Sequence, residues 1–149
     1  MEIEHSFLRT PYESLSKVAR NTQKIVDKEL TAVVASSKKL AAKKPDQSGK
    51  VIDGMVERLQ GLKRKLEEGE QQCSKSIERC RMRMQHLRDL QNPQLRAVAL
   101  KHRLDRILVD YLLREGFYAT AVGIAAQNDI KELVDLDVFS TAKQVLQSL

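Results

Sequence analysis

The stretch "RILVDYLLREGFYATAVGIAAQNDI", Arg106–Ile130, decides the fold. Apolar residues recur at steps of three and four on both sides of Gly116, which predicts two short amphipathic helices joined at one glycine. Helices of about four and three turns bury too little apolar surface to offset their own conformational entropy. Something else has to cover them, and two copies side by side would form a four-helix core. Burying each leucine or isoleucine there contributes roughly 1.5 to 3 kcal/mol as an upper range.

Upstream, the pattern becomes narrower and far longer. In "TPYE", Thr10 can cap, Pro11 suits a first helical position and Glu13 stands where a capping box places it. Residues 1–10 are therefore expected to be a flexible N-terminus and 11–43 a first long helix. Leu15, Ala19, Thr22, Val26, Leu30, Val33, Ser37 and Leu40 form its stripe. Pro45, Asp46, Ser48 and Gly49 then supply turn chemistry, so 44–50 reads as a hairpin loop or hinge.

A second stripe follows over 51–91: Ile52, Met55, Leu59, Leu62, Leu66, Gly69, Cys73, Ile77, Cys80, Met84 and Leu87. A helix of about forty residues is near 60 Å long, which a coiled coil explains. Gly61 and Gly69 each weaken helix propensity by roughly 1 kcal/mol against alanine, so a bend or a change of partner is expected near them. Asn92-Pro93 closes this segment.

Downstream of Ile130 a brief turn at "IKELV" precedes "DLDVFSTAKQVLQSL", with capping candidates at Asp135 and Asp137 and a stripe at Phe139, Ala142, Val145, Leu146 and Leu149. The stripe is still running at Leu149, as in a helix cut inside a larger helical domain.

Composition agrees with long solvated helices. The 149 residues include no tryptophan, 4% aromatics and 31% charged residues, material that favours an all-α architecture of extended helices over a compact globule. No run approaches the roughly 18 apolar residues that cross a bilayer, and the first residues lack the order of a secretory signal. The chain accordingly reads as soluble and intracellular. A net charge of +6 raises nucleic acid or an acidic cytoskeletal surface as a partner. Against that, Glu57, Glu67, Glu68, Glu70 and Glu78 are interleaved with the densest basic clusters, "LKRK" and "CRMRM", and no aromatics alternate with the charges to stack bases. A solvated coiled-coil face is the better reading, with a basic binding module as the alternative.

Chemistry-bearing residues are sparse. His5, His86 and His102 lie at no spacing that gathers ligands, and Cys73 and Cys80 share a helix face with no third ligand beside them. Those two cysteines are roughly 10 Å apart in an unbroken helix, too far for a disulfide between them. There is no nucleophile elbow and no glycine-rich phosphate loop. The reading contains no catalytic residue, no metal site and no cofactor. Tyr111, Phe117 and Tyr118 around the glycine, like Met55, Met82 and Met84, are expected to pack rather than hold a ligand.

The segment "LDRILVDYLLREGFYATAVGIAAQ" resembles the LisH motif through Leu104, Ile107, Tyr111, Leu112, Gly116, Phe117, Thr120, Ala121 and Ile124, the last standing where the motif usually carries phenylalanine. Together with "TPYESLSK", "TQKIVDKEL", "IDGMVERLQGLKRKLE" and "IKELVDLDVFSTAKQVLQSL", nearly the whole chain resembles the amino-terminal part of the macrophage erythroblast attacher family. Members of that family are subunits of the CTLH complex, called GID in yeast, a multi-subunit ubiquitin ligase.

The resemblance implies a coiled coil, a LisH motif over 95–127 and the start of a CTLH helical domain over 130–149, marked by Phe139, Ala142, Val145 and Leu146. It also implies homo- or heterodimerisation through LisH, partners among the other LisH and CTLH subunits including a second RING subunit, and a cytoplasmic and nuclear location. The RING that engages the conjugating enzyme would lie outside these residues, so this chain is not itself expected to be an enzyme. Leu104, Ile107, Leu108, Tyr111, Leu112, Phe117, Ala121 and Ile124 are the expected dimer interface and local core.

Overall fold

The computed structural model describes the backbone of residues 2–41 and 48–147, and the side chains of residues 7–41 and 48–145. The described residues are almost entirely helical: α1 Glu2–Ala41, α2 Ser48–Gln91, α3 Arg96–Arg114, α4 Tyr118–Gln127, a 3-10 turn at Lys131–Leu133, and α5 Leu136–Gln147. The all-α reading holds.

Two boundaries differ from the sequence expectation. Helix α1 starts at Glu2 and runs through Pro11, so Thr10 lies inside the helix and not at its start, and residues 2–10 are helical. A proline inside a helix removes one hydrogen bond and costs about 3 kcal/mol unless the freed carbonyl finds another donor. Here the carbonyl four residues back, that of Phe7, accepts from Arg83 Nη1 at 2.7 Å. At the other end, α2 already includes Ser48, Gly49 and Lys50. The rest of the expected loop, with Pro45 and Asp46, lies outside the described residues.

The chain divides into two compact units, Tyr12–Ile77 and Met1–Pro11 with Glu78–Leu149. In the first, α1 and α2 run antiparallel. Thr22 stands opposite Gly69, where an added Cβ would lie 2.7 Å from Thr22 Oγ1. The side chain of Glu29, 16% exposed, reaches Arg58 at 3.3 Å and Lys65 at 3.9 Å. This seam is small and polar: among the described residues of the unit, Leu62 is its one buried large apolar side chain. Helix α2 continues through Gly61 and Gly69. Gly69 serves the close approach to Thr22, and Gly61 has nothing near it.

The second unit has the larger core, made by Phe7, Val109, Leu113, Ala121, Ala125, Ile130, Leu133 and Val134. Gly116, at φ +85°, ends α3 in a left-handed conformation that glycine adopts without strain. Phe117 N–H donates to Leu112 O and Gly116 N–H to Leu113 O, the paired bonds of a Schellman cap. Helix α4 ends in the same way at Asp129, φ 53°, with Ile130 N–H on Ala125 O and Asp129 N–H on Ala126 O.

Candidate assembly surface

The predicted interface residues separate into two sets. Ala121 is fully buried against α3, and Leu112 and Ile124 are partly buried on the same core. Leu104, Ile107, Leu108, Tyr111 and Phe117 face outward, with Leu104 at 68% exposure and Tyr111 at 57%. Thr120 is also exposed, and Gly116 makes the turn. The outward leucines and tyrosine are spaced three and four apart, so they lie in one row on α3. Leu100 extends it by one turn. Contiguous exposed apolar rows are the kind of surface that protein–protein contacts bury.

The inward side of α3 consists of Ala99, Arg106, Val109 and Leu113, which the sequence reading did not single out. Helix α3 therefore has apolar residues on two sides, one closing on α4 and one open. In α5, Phe139 packs on the core and lies beneath the Arg114 guanidinium, 6.0 Å from its carbon to the ring centroid. Ala142 and Val145 are exposed, while the side chains of Leu146 and Leu149 lie outside the described residues.

What holds α5 is an arginine pair on α2, one turn apart. Arg83 is fully buried; its Nε donates to Glu132 O at 3.0 Å, its Nη2 to Asp135 Oδ1 at 2.6 Å, and its Nη1 to Phe7 O. A charge this deep is tolerated only because its donors are matched. Asp135 also accepts the first backbone bonds of α5, from Val138 and Phe139, so Arg83 grips the helix start itself. Arg79 bonds Glu132 at 3.2 Å and Asp137 at 2.8 Å. Partial burial opposes its charge, but the bonds to Asp137 and Glu132 outweigh that and raise its pKa above the ordinary arginine value.

The Phe7 ring completes the joint. The guanidinium carbons of Arg106 and Arg83 stand 3.9 and 4.9 Å from its centroid, and His86 meets it edge-on at 5.9 Å. Sequence reading missed this cluster because "CRMRM" has the composition of a solvated face. The available signal was Pro11, four residues after Phe7, which frees one carbonyl that a donor must satisfy.

Among the described residues the histidines and cysteines do not gather into one cluster. His102 is 6.5 Å from His86 between ring centroids, and Cys73 and Cys80 are both half-buried and unlinked. Among the described residues no three His, Cys, Asp or Glu side chains gather as a metal site, and no helix is long and apolar enough to cross a membrane. The side chain of His5 lies outside the described residues.

No protein-family model matches the sequence. Individual relatives do. The chain is 36% identical over 151 residues to a protein named MAEA homolog from Arabidopsis thaliana, across 100% of this chain and 36% of that protein. It is 35% identical over 158 residues to a protein named fyv10 from Aspergillus clavatus, across 99% of this chain and 39% of that one. A protein of the same name from Aspergillus niger matches to the same extent. The chain thus spans 36–39% of the length of these curated relatives.

Proposed function

The chain belongs to the MAEA and Fyv10 family, the macrophage erythroblast attacher family, and from that premise we propose that it is an assembly subunit of a multi-subunit RING-type ubiquitin ligase, the CTLH or GID complex. Its work is positioning. Helices α3 and α4 act as the LisH joint, pairing with another LisH subunit through the outward row Leu104, Ile107, Leu108, Tyr111 and Phe117. The α2 arginines hold the start of the CTLH domain at a fixed angle to that joint. Partners are other LisH and CTLH subunits, including a second RING subunit, and the setting is cytoplasmic and nuclear.

The observation that carries the pairing is the open row on α3, set beside a complete core on the helix's other side. A helix that has already satisfied its own unit and still presents leucines and a tyrosine to solvent has apolar surface to bury elsewhere. Light scattering tests it. The chain should self-associate, and Leu104→Glu with Leu108→Glu should remove the share of assembly made through α3, lowering the mass by about twofold with helix content unchanged. A chain that is monomeric throughout, and that fails to bind purified LisH subunits of the ligase, would refute the reading.

A further inference from the structure

We propose that the Tyr12–Ile77 hairpin carries a second interface, distinct from α3, whose occupant is the same hairpin of a second copy of this chain, packed parallel to it about a twofold axis along its length. The starting observation is a second apolar row beside the seam. The seam between α1 and α2 is made of Thr22, Glu29, Gly69 and their neighbours, whereas Leu30, Val34, Ile52, Val56, Leu59 and Leu66 are each 38–52% exposed. With Thr22, Glu29 and Gly69 sharing the seam with Leu62, and these leucines and valines left outside it, the unit has apolar surface still to bury.

Those six residues share one side. At 3.6 residues per turn, Leu30 and Val34 lie roughly a quarter-turn round α1 from the seam, and Ile52, Val56, Leu59 and Leu66 lie roughly a quarter-turn round α2 in the same sense. In an antiparallel pair, like edges fall on the same side of the hairpin, so the two rows merge. Ile52, Leu59 and Leu66 are spaced by heptads, the repeat that seats another helix. Two contact faces a quarter-turn apart are what each helix of a four-helix bundle needs.

Charge at the edge of this side selects the occupant. Residues facing each other across the hairpin have numbers adding to about 90, from Thr22 with Gly69 and Glu29 with Arg58 and Lys65. A twofold axis parallel to the helices keeps every height and places α1 beside the partner copy's α2. Arg20 then meets Glu70 of the other copy, and Asp27 meets Lys63, with each pair made twice. All four side chains are exposed. Asp27 accepts from Gln23 at 3.0 Å, and Lys63 lies 3.9 Å from Glu67; both are solvent-facing links that leave these groups available at the rim. Turning the second copy end over end would set Arg20 and Asp27 against different partners and lose this match, so the parallel arrangement is the one assigned. The alternating charges favour a second copy over a partner of uniform charge at this edge.

A charge-exchange experiment decides it, with sedimentation velocity on the full chain carrying Leu104→Glu and Leu108→Glu so that pairing through α3 does not contribute. One variant adds Arg20→Glu and Asp27→Lys; another adds Lys63→Glu and Glu70→Lys. Each alone should weaken self-association by about tenfold or more, and an equimolar mixture should restore it to within about threefold, because reversed edges then meet each other and unreversed edges do likewise. Circular dichroism checks that every variant keeps its helix content. A parent that stays monomeric at tens of micromolar, variants that associate as well as the parent, or a mixture that is not restored would each overturn the proposal. Restoration is the outcome a merely structural role for these four side chains cannot produce.

Discussion

Arg83 Nη1 donates to the carbonyl oxygen of Phe7 at 2.7 Å, and that carbonyl is free because Pro11, four residues on, has no N–H to give it. The two residues are 76 apart in sequence. A defect in one helix is thus repaired by the side chain of another.

This relation predicts a specific coupling. Arg83→Met leaves the Asp135 carboxylate and two carbonyls without their donor, and should destabilise the chain by about 3 to 5 kcal/mol in urea unfolding. Pro11→Ala restores a backbone donor to Phe7 O. The Arg83→Met cost should therefore be about 1 kcal/mol smaller in a Pro11→Ala background, and strict additivity of the two changes would remove the link.

Gly69 and Gly61 should respond oppositely to alanine. Nothing lies within 4 Å of a Cβ at Gly61, so Gly61→Ala should gain up to about 1 kcal/mol from helix propensity. At Gly69 the new methyl meets a short, β-branched side chain with little room to turn, and Gly69→Ala should lower the melting temperature. Combining it with Thr22→Ala should remove the penalty.

Asp129 ends α4 at φ 53°, a conformation costing a non-glycine residue roughly 1 to 2 kcal/mol, with aspartate among the better tolerated. Asp129→Gly should raise stability by about 0.5 to 1 kcal/mol, and Asp129→Val should lower it by more than that. Thermal unfolding of the two variants distinguishes them directly.

Arg79 and Arg83 reach the same segment, yet salt should tell them apart. The partners of Arg79 are largely exposed, at 46% for Glu132 and 75% for Asp137, so Arg79→Gln should cost about 1 kcal/mol or less, and less again in 1 M salt. The Arg83→Met cost should hardly change with salt, because its donors lie out of solvent.

The helices, their order and the glycine turn were legible in the sequence because they rest on local rules: a 3.6-residue period and a left-handed cap. Which side of α3 turns inward was not. Val109 and Leu113 lie on one side and Leu104, Leu108 and Tyr111 on another, so periodicity alone offers two equally apolar faces. Ala121 and Ala125 decide between them by allowing close approach, and their small size gives no hydrophobic signal. The hairpin stripes show the same ambiguity. Met55, Leu62 and Gly69 turn to the seam while Ile52, Leu59 and Leu66 do not, so one apparent stripe is two adjacent faces. Arg83 was illegible for another reason: its partners come from Phe7, Glu132 and Asp135, and no local pattern joins positions so far apart.

That separation also orders events during synthesis. Phe7 leaves the ribosome more than a hundred residues before Asp135 and the Glu132 carbonyl that share its arginine, an interval on the order of ten seconds at ordinary elongation rates. Through that interval the Phe7 ring has no finished site to enter, and the Pro11 gap in α1 has no donor. The turns around Phe7 are made long before they are locked, which leaves them open in the nascent chain to chaperones and to premature contact with other chains.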